Sequence, residues 1–154
     1  MTEMKSVATR RSAREIALHI VYERTFDLDN TEGILSQRLS EEGFASLSRD
    51  VSAYEKELPP EECVYIRLVT KGIEEKKMEL ADLIRQNSLN WKLERISRIS
   101  RSILEIAIYE ILYMEGIDTS VSINEAVELA KKYDTEDASA FINGVLGGFA
   151  KNNQ

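Results

Sequence analysis

Two adjacent prolines, Pro59 and Pro60, are the only ones in the chain, and the long stretches on either side carry apolar residues at spacings of three and four rather than two. That periodicity predicts an all-α fold, because a residue three or four positions on returns to the same helix face. Ala13, Ile16, Ala17, Ile20 and Val21 form one such stripe and predict a helix over 9–26. Ile34, Leu35 and Leu39 predict a weaker helix over 31–42, ending near Gly43. Residues 44–58 mix Ser, Asp and Glu with few regularly spaced apolar positions and read as a loop with room for one helical turn.

The proline pair suits a helix start, since proline is tolerated in the first turn and the acids Glu61 and Glu62 favour the positive end of the dipole. From there Ile66, Val69, Ile73, Leu80, Leu83 and Ile84 keep one face apolar, predicting a single long helix over 59–86. Gly72 inside it costs about 1 kcal/mol relative to alanine, which close packing against another helix would explain. Asn87, Ser88 and Asn90 interrupt the pattern, and Asn90 is placed to cap a short helix carrying Leu93, Ile96 and Ile99. The run RSILEIAIYEILYM, residues 101–114, is apolar on nearly every side and predicts a central buried helix. Gly116 ends it, Ser122 and Glu125 read as a capping box opening a helix to Tyr133, and Asp134 or Thr135 caps a last helix. That last helix carries Phe141, Ile142, Val145, Leu146 and Phe149. In all, about seven helices are predicted, in two small packed bundles within one domain over 1–154, divided into 9–87 and 90–151.

No apolar run approaches the roughly 18 to 20 residues a bilayer span needs, and the N-terminus lacks a signal peptide's apolar core, so the expected compartment is the cytoplasm. Cys63 is the only cysteine, which excludes an internal disulfide and a multi-cysteine zinc site. His19 is the only histidine, too few for a metalloenzyme or a di-iron bundle, and it lies far in sequence from Cys63. No phosphate-binding glycine loop occurs. No cofactor, metal or catalytic residue is assigned. The carboxylates Glu74, Glu75 and Glu79 alternate with Lys76 and Lys77 as on a solvated helix face.

The net charge of −7 argues against a nucleic-acid partner until its distribution is considered. Up to Arg14 the bases Lys5, Arg10, Arg11 and Arg14 face one acid, Glu3, so this segment is +3 and the remainder −10. On a helical wheel Arg11, Arg14, Leu18 and Tyr22 fall within about 80° of one another, with Arg10 beside them. Guanidinium groups followed by a ring match what single-stranded RNA needs, phosphate contacts and a plane for a base. The same pattern also fits a plain cationic face with Tyr22 closing the core.

The run RRSAREIALHIVYE, residues 10–23, resembles the N-terminal signature of the NusB family of transcription antitermination factors. Three further stretches resemble the same family in the same order: NWKLERISRISRSILEIAIYE (90–110), SINEAVELAKKY (122–133) and EDASAFINGVLGGF (136–149). The resemblance implies an all-helical fold of two small bundles and a role in processive transcription. It implies pairing with NusE, a ribosomal protein, binding of the boxA element of ribosomal RNA leaders, and action on RNA polymerase. Carried over by position, it implies that Arg10, Arg11 and Arg14, with Lys5 in the same basic segment, bind RNA, and that Tyr22 is the aromatic following them. It places Tyr133, Asp137, Phe141 and Arg101 on the surface that borders RNA and partner. The sequence departs from the family at Ser100, where an acid usually precedes the basic residue, and at His19, often glutamine.

Three rival readings remain at this point. One is a helical interaction scaffold, such as a homodimer that buries the arginine face and binds no RNA. Another is the RNA-binding module of a ribosomal RNA cytosine methyltransferase, which the lack of a downstream catalytic domain in this sequence disfavours. A DNA-binding helix-turn-helix fits poorly, because the C-terminal helices are not basic where a recognition helix would meet a groove.

Overall fold

The computed structural model describes residues 9–26, 30–47, 52–54, 57–88 and 95–153, and these form eight α-helices and one 3-10 turn. The helices are α1 (Arg10–Arg24), α2 (Thr31–Arg38), α3 (Glu41–Leu47), α4 (Pro60–Glu75), α5 (Lys77–Asn87), α6 (Arg98–Tyr113), α7 (Thr119–Tyr133) and α8 (Glu136–Asn152). The all-α class expected from the periodicity is what is observed, with no strand among the described residues. Contacts divide the chain into two compact units, Met1–Lys71 and Gly72–Gln154, so the division falls inside α4.

In the N-terminal unit α1 packs against α2 and against the 3-10 turn Ser52–Tyr54. Thr9, the expected first residue, caps α1 by accepting from the Ser12 N–H at 3.3 Å, so the helix opens one residue later at Arg10. The helix expected over 31–42 is two: α2 ends at Arg38, and Ser40 Oγ accepts the Gly43 N–H at 3.0 Å to turn the chain into α3. Helix therefore extends into the first part of the segment read as a loop. Within the same segment the 3-10 turn buries Tyr54 completely, with Phe44 meeting its ring edge-on at 5.1 Å. A lone aromatic in a polar run carries no period, which is why the sequence did not mark it as core.

Tyr54 also organises polar groups. Its hydroxyl lies 3.1 Å from His19 Nδ1 and accepts from Arg38 Nη1 at 3.2 Å, while Arg38 Nε donates to Glu23 at 2.8 Å. Burial pushes the Tyr54 phenol up, against the opposing pull of Arg38. His19, with no chemical role in the sequence reading, is thus tied into the core by a hydrogen bond and by ring stacking at 5.7 Å.

The single long helix expected over 59–86 is α4 followed by α5, because Lys76 leaves helical geometry (φ −102°, ψ 17°). The hydrogen bonds Lys76 N–H to Gly72 and Leu80 N–H to Lys76 carry the chain through, so the apolar face continues across the break. The expected capping of a short helix by Asn90, and its Leu93, lie outside the described residues; Ile99 belongs to α6.

The C-terminal unit is built on α6, whose residues from Ser102 to Glu110 are all buried, as its apolar run predicts. It packs against α5, α7 and α8. Ser97 caps it by accepting from the Ser100 N–H at 3.1 Å, so α6 opens at Arg98, three residues before the expected start at Arg101. Gly116 turns the chain with φ +83°, a conformation that suits glycine. The capping box at Ser122 is corrected: α7 opens at Thr119 after Asp118, and Ser122 is buried one turn inside. Its hydroxyl instead donates to Glu110 Oε1 at 3.1 Å. Ser122→Ala is expected to cost about 1–3 kcal/mol, the range for taking a partner from a buried hydrogen-bonding group, in urea unfolding. An unchanged midpoint would mean that Glu110 is satisfied without it.

Candidate nucleic-acid interface and partner groove

The three arginines in the first half of α1, Arg10, Arg11 and Arg14, do not share one environment. Arg11 is exposed. Arg10 is half-buried, its Nε donating to Glu62 Oε2 of α4 at 2.6 Å and its guanidinium 4.3 Å from the centre of the Tyr65 ring. Arg14 is only 5% exposed, with its guanidinium 6.0 Å from the same ring. Leu18 is fully buried, and Tyr22 at the end of the stripe is 37% exposed. The wheel grouped these side chains correctly by angle, but the stripe runs from solvent into the core and out again. Lys5 lies outside the described residues.

Tyr22 is not alone. Phe26, 62% exposed and two residues past the end of α1, meets it edge-on with ring centres 5.2 Å apart. The sequence reading did not single out Phe26. Its signal was present, however, since i and i+4 from Tyr22 share a helix face.

Within the C-terminal unit a mostly apolar groove of about 240 Å³ lies where α6, α7 and α8 meet, lined by Ile96, Ser100, Asp134, Asp137 and Phe141 among others. Thr135 caps α8, accepting from the Ala138 N–H at 3.1 Å, one of the two residues expected to do so. That cap sets Asp137 in the first turn and Phe141 one turn further on, so both reach the groove. The groove thus gathers two of the C-terminal residues singled out from the sequence. Tyr133, half-buried, ends α7 with Lys132 Nζ 5.6 Å from its ring centre, and Arg101 is half-buried in α6; neither lines the groove.

Ser100, where the resemblance led us to expect an acid, has a carboxylate beside it. Its hydroxyl donates to Asp134 Oδ2 at 2.5 Å, and Ser97 adds a second, longer bond of 3.3 Å to the same oxygen. Asp134 stands between α7 and α8, a position the sequence offered only as a cap.

Among the described residues no three His, Cys, Asp or Glu side chains converge to hold a metal ion. Burial pushes the Cys63 thiol up, so it is less readily ionised than an ordinary thiol. No helix among the described residues is long and apolar enough to cross a membrane.

Comparison with known proteins agrees with these elements. The model of the NusB family matches residues 11–151. A Clostridium botulinum protein named transcription antitermination protein NusB is 38% identical over 138 residues, covering 90% of this chain and 96% of that one. A Ruminiclostridium cellulolyticum protein of the same name is 37% identical over 142 residues, covering 92% and 88%. Among solved structures, T. maritima NusB superposes with a TM-score of 0.73 at 34% identity, covering 94% of this chain and 92% of that one. A structure of the antitermination factors NusB and NusE in complex with double-stranded RNA gives 0.71 at 21% identity, a likeness of fold, covering 93% and 96%. These relatives define a class of all-helical transcription antitermination proteins. The chain belongs to the NusB family.

Proposed function

We propose that the protein is a transcription antitermination factor that binds the boxA RNA of ribosomal RNA leaders as a complex with NusE. The observation that carries this reading is the match to antitermination proteins over nearly the whole chain. The pairing of one structural neighbour with NusE and RNA supports the choice of partner. It acts by binding, with no reaction assigned, in the cytoplasm and as part of the RNA polymerase antitermination assembly.

In this reading Arg10, Arg11 and Arg14, with Lys5, hold phosphates, and Tyr22 stacks a base. Exposure makes Arg11 and Tyr22 the first contacts. The groove with Asp137 and Phe141, together with Tyr133 and Arg101, borders the ribosomal protein. A mostly apolar groove with carboxylates suits a partner side chain having an apolar stem and a cationic end.

The test is a mobility shift of boxA RNA and a scrambled RNA, each with and without purified NusE. NusE is expected to strengthen boxA binding about tenfold or more, within the ordinary range of coupling between two ligands. No shift in either case, with a homodimer in solution, would favour the scaffold reading instead.

A further inference from the structure

We infer that Glu62 and Tyr65 of α4 are positioning residues for an RNA phosphate, acting through Arg10; this rests on the RNA-binding reading above. A guanidinium on a free side chain samples many rotamers, and ordering it on binding opposes affinity. Arg10 is already ordered. Glu62 Oε2 takes its Nε at 2.6 Å, and the Tyr65 ring, itself almost fully buried, forms a shelf 4.3 Å from the guanidinium carbon.

The chemistry of the pair directs the rest of the side chain. Nε is engaged by Glu62, which leaves Nη1 and Nη2, the forked end, as donors that match the oxygens of a phosphate. The Arg10 side chain keeps 35% of its exposure, whereas that of Glu62 keeps 11%, so solvent and any RNA reach the arginine rather than the acid. Neither Glu62 nor Tyr65 stands out in the sequence, because the first reads as an acid at a helix start and the second is not among the apolar positions that mark the helix from Ile66 onward. Spaced three apart on α4, they lie on one helix face, and that face meets the start of α1.

The experiment measures boxA affinity of the full chain with NusE across a salt series, for Arg10→Ala, Glu62→Ala, the double variant and Glu62→Gln. Arg10→Ala is expected to weaken binding and flatten the salt slope by about 0.7, one phosphate contact on a single strand. Glu62→Ala is expected to weaken it roughly two- to tenfold through lost ordering, and to have no further effect once Arg10 is alanine. Glu62→Gln keeps an acceptor for Nε and is expected to hold affinity within about twofold, which guards against a folding artefact. NusE affinity should stay unchanged throughout. The inference fails if Glu62→Ala leaves RNA affinity as it was or tightens it, or if it weakens binding equally with and without Arg10. Should Arg10→Ala itself bind RNA like the parent, the assignment of this face to RNA falls as well.

Discussion

Gly72→Val is expected to lower stability by about 3 kcal/mol, the upper range for forcing extra atoms into a packed site. A Cβ built at Gly72 falls on the Cζ, Oη and Cε2 atoms of Tyr109, so the ring of α6 occupies the place where any side chain of α4 would begin. Tyr109 is 7% exposed and has little room to move aside. Alanine tests the argument more finely, because it also gains about 1 kcal/mol of helix propensity over glycine. Gly72→Ala is still expected to be the less stable protein, by about 1–2 kcal/mol, and that penalty should largely vanish when alanine is introduced into a Tyr109→Ala background, which is itself destabilised by loss of the buried ring. Urea unfolding of the parent, the two single alanine variants and the double variant decides it. An alanine variant as stable as the parent would show that the ring can shift without cost and that the glycine is not required by packing.

Tyr22→Ala should weaken boxA binding about tenfold or more, within the range found for one base stacked on one ring. The side chain is exposed and braced by the edge of Phe26, so its removal takes away a plane without opening the core. Adding Arg11→Ala should make the salt dependence shallower by about 0.7, since one fewer phosphate is neutralised. Arg14→Ala is a different experiment. With 5% exposure its loss is expected to register first as reduced stability, because packing and polar contacts around a buried guanidinium go with it. If Tyr22→Ala and Arg11→Ala together left affinity and its salt dependence intact, the exposed end of α1 would not be the RNA face.

The parts of the fold that were legible in the sequence are those where local preference and tertiary burial agree. The run around Ile103 to Ile108 is apolar on nearly every side, so it had to become an enclosed helix, and Asp134 and Thr135 together marked a helix start, where the structure gives the cap to Thr135. Ser122 shows the opposite case. Ser and Glu three apart satisfy the local rule for a helix start, yet burial against Glu110 decided the position of that hydroxyl. The break at Lys76 was invisible because a one-residue departure leaves the apolar rows in register on both sides.

The candidate site was legible in the same uneven way. A wheel gives the angle between Arg11 and Arg14 but not which angle faces solvent, since that depends on where α4 brings Tyr65. Asp137 and Phe141 were identified through family likeness and do meet in one groove. Phe26 and the pairing of Arg10 with Glu62 and Tyr65 were missed, the first because a single ring at the end of the expected helix does not show that it meets Tyr22, the second because pairing across many residues leaves no local trace.

The short bond from Ser100 to Asp134 separates where a charge is encoded from where it is displayed. Position 100 carries no acid of its own, yet its hydroxyl is held against a carboxylate delivered from the turn after α7. Substitutions designed to probe this groove should therefore be aimed at Asp134, since a change at Ser100 would alter a neighbour of the carboxylate rather than its source.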